Sequence, residues 1–269
     1  MAETDFPRTV LSNGEIEVSI FLPDAERGYY RGTRFDWSGI IEHVDYRGHR
    51  FYAPLHAEHD PHLHDSVSGP TDEFAMFEPM GFAEAEPGES FVKIGVGLLE
   101  KGTSEDYLFH GEYPLRRAGS WHIEQDGDQI SFDQVLVGER GWGYRYRKTI
   151  RLLEGEPGFV MEYRLENRGV KTIDITHYNH NFTLIDGTPY GPDYAVEFPF
   201  SSDEPRSIKG LAWFRDGVIA VEAPLGDQSF WLELSKVPER TDYNAATVRN
   251  QLTGAEISFQ GDAPVERMA

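Results

Sequence analysis

A polar–apolar alternation of period two, interrupted by turn residues roughly every ten positions, runs through most of this chain. Side chains that alternate between two faces belong to strands half-buried in a sheet, and a 3.6-residue helical period does not produce that pattern. Residues 15–21 alternate and stop at Pro23. Residues 121–125 and 129–136 bracket Asp126-Gly127-Asp128, a hairpin signal because glycine supplies the left-handed backbone of a tight turn. Residues 144–152 alternate, 154–158 turn the chain, 159–165 return it, and 166–169 turn it again toward 171–176. Later segments at 218–222, 229–234 and 256–259 read the same way. The spacing predicts an all-β fold, an antiparallel β sandwich with few short helices. The windows 53–65 and 242–251 are where such helices are expected. No repeat, linker or composition step divides residues 1–269, so one β-sandwich domain is the expectation. The least strand-like stretch is 54–90, with four His and Pro61, Pro70, Pro79 and Pro87. It is expected to cross one face of the sheet or its rim, because long irregular segments in compact domains are usually functional or mobile.

Charge narrows the partners. Lys and Arg number 25 against 46 Asp and Glu, a formal net charge of −21. That field repels phosphate backbones and anionic lipid, so neither nucleic acid nor membrane is expected as a partner, whereas a neutral small molecule such as a sugar is compatible. Cysteine is absent, which removes disulfides, thiolate nucleophiles and Cys-ligated zinc. The start, Met-Ala-Glu-Thr-Asp-Phe-Pro, has no basic segment followed by an apolar one, and a cytoplasmic protein is the expectation. Gly-x-Ser-x-Gly, phosphate-loop and dinucleotide motifs are absent from the sequence, so hydrolase-triad, ATPase and dehydrogenase readings fall away.

The densest polar element is His177-Tyr178-Asn179-His180-Asn181-Phe182. On a strand, Tyr178 and His180 share one face while His177, Asn179 and Asn181 share the other. Imidazole suits proton transfer near neutral pH, and burying so many polar groups requires polar partners. His110, in Phe109-His110-Gly111-Glu112, is a candidate partner for His180. In residues 28–39 aromatics interleave with Arg34 and Asp36, and sugar sites combine aromatic faces with planar donors and carboxylates. An aromatic corner with an internal Arg34–Asp36 contact explains the same residues. Glu73 and Asp72, in Gly69-Pro70-Thr71-Asp72-Glu73-Phe74, are further candidate carboxylates. His56, His59, His62 and His64, with Asp60 and Asp65, have imidazole enough for a metal but match no zinc motif. A polar loop is the preferred reading, and no metal is assigned.

In order and spacing these features resemble the aldose 1-epimerase, galactose mutarotase-like family. Arg34 is followed by His110-Gly111, then Trp121, strands ending in Leu165-Glu166-Asn167, and Asn179-His180-Asn181-Phe182 with Leu184 and Gly187 after it. Only the Asn-His element is locally specific. The resemblance implies a large antiparallel β supersandwich and interconversion of sugar anomers without a cofactor. It implies His180 as the acid at the ring oxygen and His110 as an assisting group. Arg34 would hold hydroxyls. Beside the resemblance, residue type and position make Asp36, Glu73, Tyr178 and Asn179 candidate substrate contacts. The family's base, a Glu near the C terminus in a Pro-Glu-Pro-like context, has no counterpart in Asp262-Ala263-Pro264-Val265-Glu266-Arg267-Met268-Ala269. Three explanations stay open: missing final strands, another carboxylate as base, or binding without turnover. Two other functions remain beside the epimerase: a non-catalytic carbohydrate-binding or sensor protein, and a metal-assisted sugar lyase or isomerase at residues 56–64. The sugar and the oligomeric state are not encoded in any motif.

Overall fold

The structure is a computed structural model describing residues 6–54, 56, 58–201, 206–234, 237 and 239–268. It divides into two compact units, Met1–Gly48 with Tyr52–Phe182, and His49–Phe51 with Thr183–Ala269. The fold is all-β, as the alternation predicts, and its sheets are antiparallel.

In the first unit, β1 (Arg8–Ser12), β2 (Glu17–Phe21) and β3 (Ile40–Tyr46) lie side by side, while β4 (His49–Phe51) is counted with the second unit. β5 (Gly69–Phe74) pairs with a distant strand described below. β6 (Ser90–Lys93), β7 (Gly97–Glu100) and β8 (Leu115–Ala118) form a second sheet. β9 (Ser120–Asp126), β10 (Gln129–Val137), β11 (Gly143–Leu152) and β12 (Phe159–Asn167) form a meander in the order β12-β11-β10-β9. The expected hairpin is β9–β10, with Gln129 opposite Asp126 and Gly127 at φ +59°. β11 shows why the alternation was readable: Tyr144, Tyr146, Lys148, Ile150 and Leu152 are buried, and the residues between them, apart from the strand's first, Gly143, are half-exposed. One core cluster gathers Phe21, Tyr29, Tyr30, Phe35, Trp37 and Phe91, among others. Another joins Phe74, Val92, Leu98, Leu136, Tyr144 and Tyr146, and so packs β5, β6, β7, β10 and β11 together. β13 (His177–Phe182) closes this unit.

The second unit is built on one sheet, ordered β15-β16-β17-β14-β18-β19. These strands are β14 (Tyr194–Glu197), β15 (Arg206–Ile208), β16 (Ala212–Arg215), β17 (Val218–Val221), β18 (Ala245–Asn250) and β19 (Ala255–Gln260). Phe200, Ile208, Phe214, Leu232 and Leu234 are in its core. Phe51 bridges to Ile185, and the His49 ring meets Asp186 at 2.9 Å.

Four expectations change. Among the described residues neither window 53–65 nor 242–251 is an α-helix; the second holds a single 3-10 turn, Thr241–Tyr243, and then β18. Ala245-Ala246-Thr247-Val248-Arg249-Asn250 carries β-branched residues and pairs register-perfect with β19, so tertiary pairing outweighs the helix-favouring alanines. Lys171 is in a bend and residues 172–176 carry no regular secondary structure, and the strand begins only at His177. Residues 229–234 contribute one bridge, Leu234 to Met268, instead of a strand. The irregular segment 54–90 contains β5, six residues all buried. Period-two reading misses such a strand because both of its faces are covered.

Candidate functional site

The strand pair β5–β13 is the centre of the candidate site. His177 lies opposite Phe74, Tyr178 opposite Glu73, Asn179 opposite Asp72, His180 opposite Thr71 and Asn181 opposite Pro70. Asp72 and Glu73 are fully buried neighbours, and a strand sends consecutive side chains to opposite faces. Each carboxylate therefore meets a different set of partners.

On one face Asp72 receives Lys148 Nζ at 2.9 Å, His177 Nε2 at 2.9 Å and Asn179 Nδ2 at 3.1 Å. Asp36 lies on the same lysine, with Nζ 3.7 Å from its Oδ2, and accepts from Tyr146 Oη at 2.8 Å and from Ser38 N and Oγ. Gly95, at φ +80°, permits this approach, because a Cβ there would lie 2.5 Å from Asp36 Oδ1. Burial pushes the Asp36 carboxyl up, and the neighbouring Asp72 adds to that against Lys148. Burial also penalises the charge on Asp72, but Lys148 and His177 outweigh it and hold the group well below the usual carboxylate range. His177 stacks on Phe74 at 4.6 Å and keeps one side toward solvent.

On the other face Glu73 divides its oxygens between two cations, Arg34 Nε at 2.9 Å on Oε2 and Lys93 Nζ at 3.4 Å on Oε1. The Arg34 guanidinium sits between two rings, 4.4 Å from the Phe35 centroid and 4.6 Å from Phe109. Lys93 lies 5.2 Å from the Tyr107 ring, and burial pulls its pKa down to about 8 against the pull of Glu73. His180 stacks on Phe182 at 3.9 Å and meets the Phe35 and Tyr178 rings edge-on. Its Nδ1 is buried without a hydrogen-bond partner. Burial, then the Arg34 charge, lowers the His180 pKa to about 4, and Asp65 opposes them. Burial raises the Tyr178 phenol, which feels Arg34 and Glu73.

His180, Tyr178, Arg34 and Glu73 thus come together. His110 lies in a turn beside His64, ring centroids 6.1 Å apart, so the structure places it against His64 and Phe109. Asp36 and Asn179 fall on the Asp72 face, and both are engaged there. Among residues 56–64 the imidazoles divide: His56 and His64 both face Asp65, whereas His59 faces Tyr29 and Ser66. His56 meets Asp65 at 2.9 Å, while His59 stacks on Tyr29 and bonds Tyr29 O and Ser66 Oγ. Among the described residues no group of three or more His, Asp or Glu is arranged to hold a metal ion. A recess of about 350 Å³ opens beside Arg31, Thr33, Trp37, His62 and Glu112; His180 does not line it.

Sequence reasoning did not single out Lys93, Lys148 or Tyr107. Two of them carried a signal. Lys148 occupies the inward phase of β11, and Lys93 interrupts the apolar run Phe91-Val92-Lys93-Ile94, positions where a buried cation demands a carboxylate. Among the described residues no helix is long and apolar enough to cross a membrane.

No family model, curated protein or solved structure matches the chain.

Proposed function

We propose that this chain binds a sugar on the His180 face of β13 and interconverts its anomers, as aldose 1-epimerase-like proteins do. The observation that carries the reading is the gathering of His180, Tyr178 and the Glu73-held Arg34 at one face of the β5–β13 pair, with the Asp65 charge acting on the imidazole. Mutarotation needs a carboxylate near the imidazole, and Asp65 is the one whose charge reaches it. In this reading Asp65 takes the proton of the C1 hydroxyl and His180 donates one to the ring oxygen. The C1–ring oxygen bond breaks, C1 turns, and the two proton transfers reverse. Phe109, Phe182 and Tyr178 offer ring faces to sugar C–H groups.

The pKa of about 4 at His180 favours a second reading, sugar binding without turnover, because a neutral imidazole is a poor proton donor. An NMR exchange or polarimetric assay separates the two. Acceleration of anomer exchange, reduced about 100-fold or more in His180→Asn and in Asp65→Asn, supports catalysis. Binding with no acceleration leaves the second reading, and neither binding nor acceleration with a broad aldose panel removes both.

A further inference from the structure

We infer that the sugar recognised at the His180 face carries an anionic group, a carboxylate or a phosphate, which the terminal nitrogens of Arg34 receive. The inference rests on the sugar-site reading above and adds the substrate class. Arg34 is fixed before any ligand arrives. Its Nε is held by Glu73, its plane lies between Phe35 and Phe109, and its side chain is 10% exposed. Among the described residues no hydrogen bond is made by its two terminal nitrogens, so the fork that matches an oxyanion bidentately is left over.

Charge counting points the same way. Glu73 is the single fully buried carboxylate serving both Arg34 and Lys93. Asp65 also lies near, but it is a quarter exposed and already holds His56 at 2.9 Å. Lysine can shed its proton when buried; arginine cannot, so the residual positive charge resides on Arg34. The Tyr107 hydroxyl, which feels Glu73 and Arg34, is buried without a hydrogen-bond partner, as is His180 Nδ1. Two orphaned polar atoms that feel the Arg34 charge leave buried hydrogen-bonding capacity that a polar, negatively charged guest would use. An anion on Arg34 also offsets the smaller of the two causes that lower the His180 pKa, and so moves the imidazole toward the protonated form that anomer exchange requires.

The test is calorimetric titration of the full chain with four probes: glucose, glucuronate, glucose 6-phosphate and inorganic phosphate. The expected result is that at least one acidic sugar binds about tenfold or more tightly than glucose. That preference should weaken as salt rises and disappear in Arg34→Gln. Arg34→Lys, which keeps the charge and loses the fork, should retain only part of it, and circular dichroism of both variants reports whether they fold. Preference for glucuronate over the phosphate ester, or the reverse, identifies the anion. Glucose binding as tightly as both acidic sugars overturns the inference and leaves the sugar site standing. Inorganic phosphate binding as tightly as the sugar phosphate also overturns it, since the sugar then contributes nothing. If no sugar binds at all, the underlying reading falls instead.

Discussion

The two faces of β5–β13 solve the same problem in opposite ways. On the Asp72 face two carboxylates, Asp36 and Asp72, share one lysine. On the Glu73 face two cations, Arg34 and Lys93, share one carboxylate. The excess negative charge is eased internally: burial and the neighbouring Asp72 raise the Asp36 pKa, Tyr146 and Ser38 donate to Asp36, and Asn179 donates to Asp72. The excess positive charge has no equivalent outlet at Arg34. One face pairs its charges internally and the other leaves the Arg34 fork free, and that asymmetry is the ground for proposing the second as the ligand-binding face.

The largest effect expected from breaking this comparison is at Lys148. Lys148→Met leaves Asp36 and Asp72 buried without a cation and should cost about 3–5 kcal/mol in urea unfolding at pH 7. Because the Asp36 pKa is raised in the fold, the folded state holds its proton more tightly than the unfolded chain. The deficit of the variant should therefore shrink as pH falls toward 5. Glu73→Gln is the counterpart and should cost less, about 2–3 kcal/mol, because Lys93, with its pKa near 8, can discharge. A cation with a lowered folded pKa is penalised below that pKa and relieved as pH rises toward its unfolded value of about 10.4. This deficit should shrink between pH 7 and 9. If both deficits move the same way with pH, the two faces are not electrostatic opposites.

A smaller effect is expected at His180. Its folded pKa of about 4 lies below the unfolded value of about 6.5. Its contribution is intact above pH 6.5 and is lost as pH falls toward 4, where the unfolded chain takes the proton first. His180→Phe extends the stack with Phe182 and removes the orphaned Nδ1. It should raise stability by about 1–2 kcal/mol at pH 7, more at pH 5, and flatten the slope between those values. Loss of sugar binding in this stabilised variant identifies a group kept for function at the expense of stability. A stability decrease at both pH values means that the imidazole is structural.

How much of this was legible in the sequence divides along the same line. The meander β9–β12 and the faces of β13 were readable because each strand has one wetter and one drier side, so polarity alternates with the backbone. β5 was not, because Asp72 and Glu73 are buried by partners 20 to 107 residues away, among them Lys93, Lys148, Arg34 and Asn179, and no local pattern encodes a long-range ion pair. His180 was found from the density of polar groups around it. Asp65, whose charge acts on it, and Phe109 and Tyr107, which meet Arg34 and Lys93, come from loops, whose convergence depends on tertiary packing. The assignment of Asp36 and Asn179 to substrate followed from residue type alone, and in the structure their polar atoms already have protein partners.

The smallest effect is the most discriminating about which face meets ligand. Asn181 is exposed, lies on the His177 side of β13 and donates to Asn179 Oδ1 at 3.0 Å. Asn181→Ala should change stability by no more than about 0.5 kcal/mol, since its amide exchanges one protein contact for water. Sugar affinity should be unchanged, because Asn181 points away from Arg34, Tyr178 and His180 on an alternating strand. Should sugar affinity fall tenfold while stability holds, the ligand lies across His177, Asn179 and Asn181. The Asp72 network would then be the foundation of the site, and the unfinished charge at Arg34 would need another explanation.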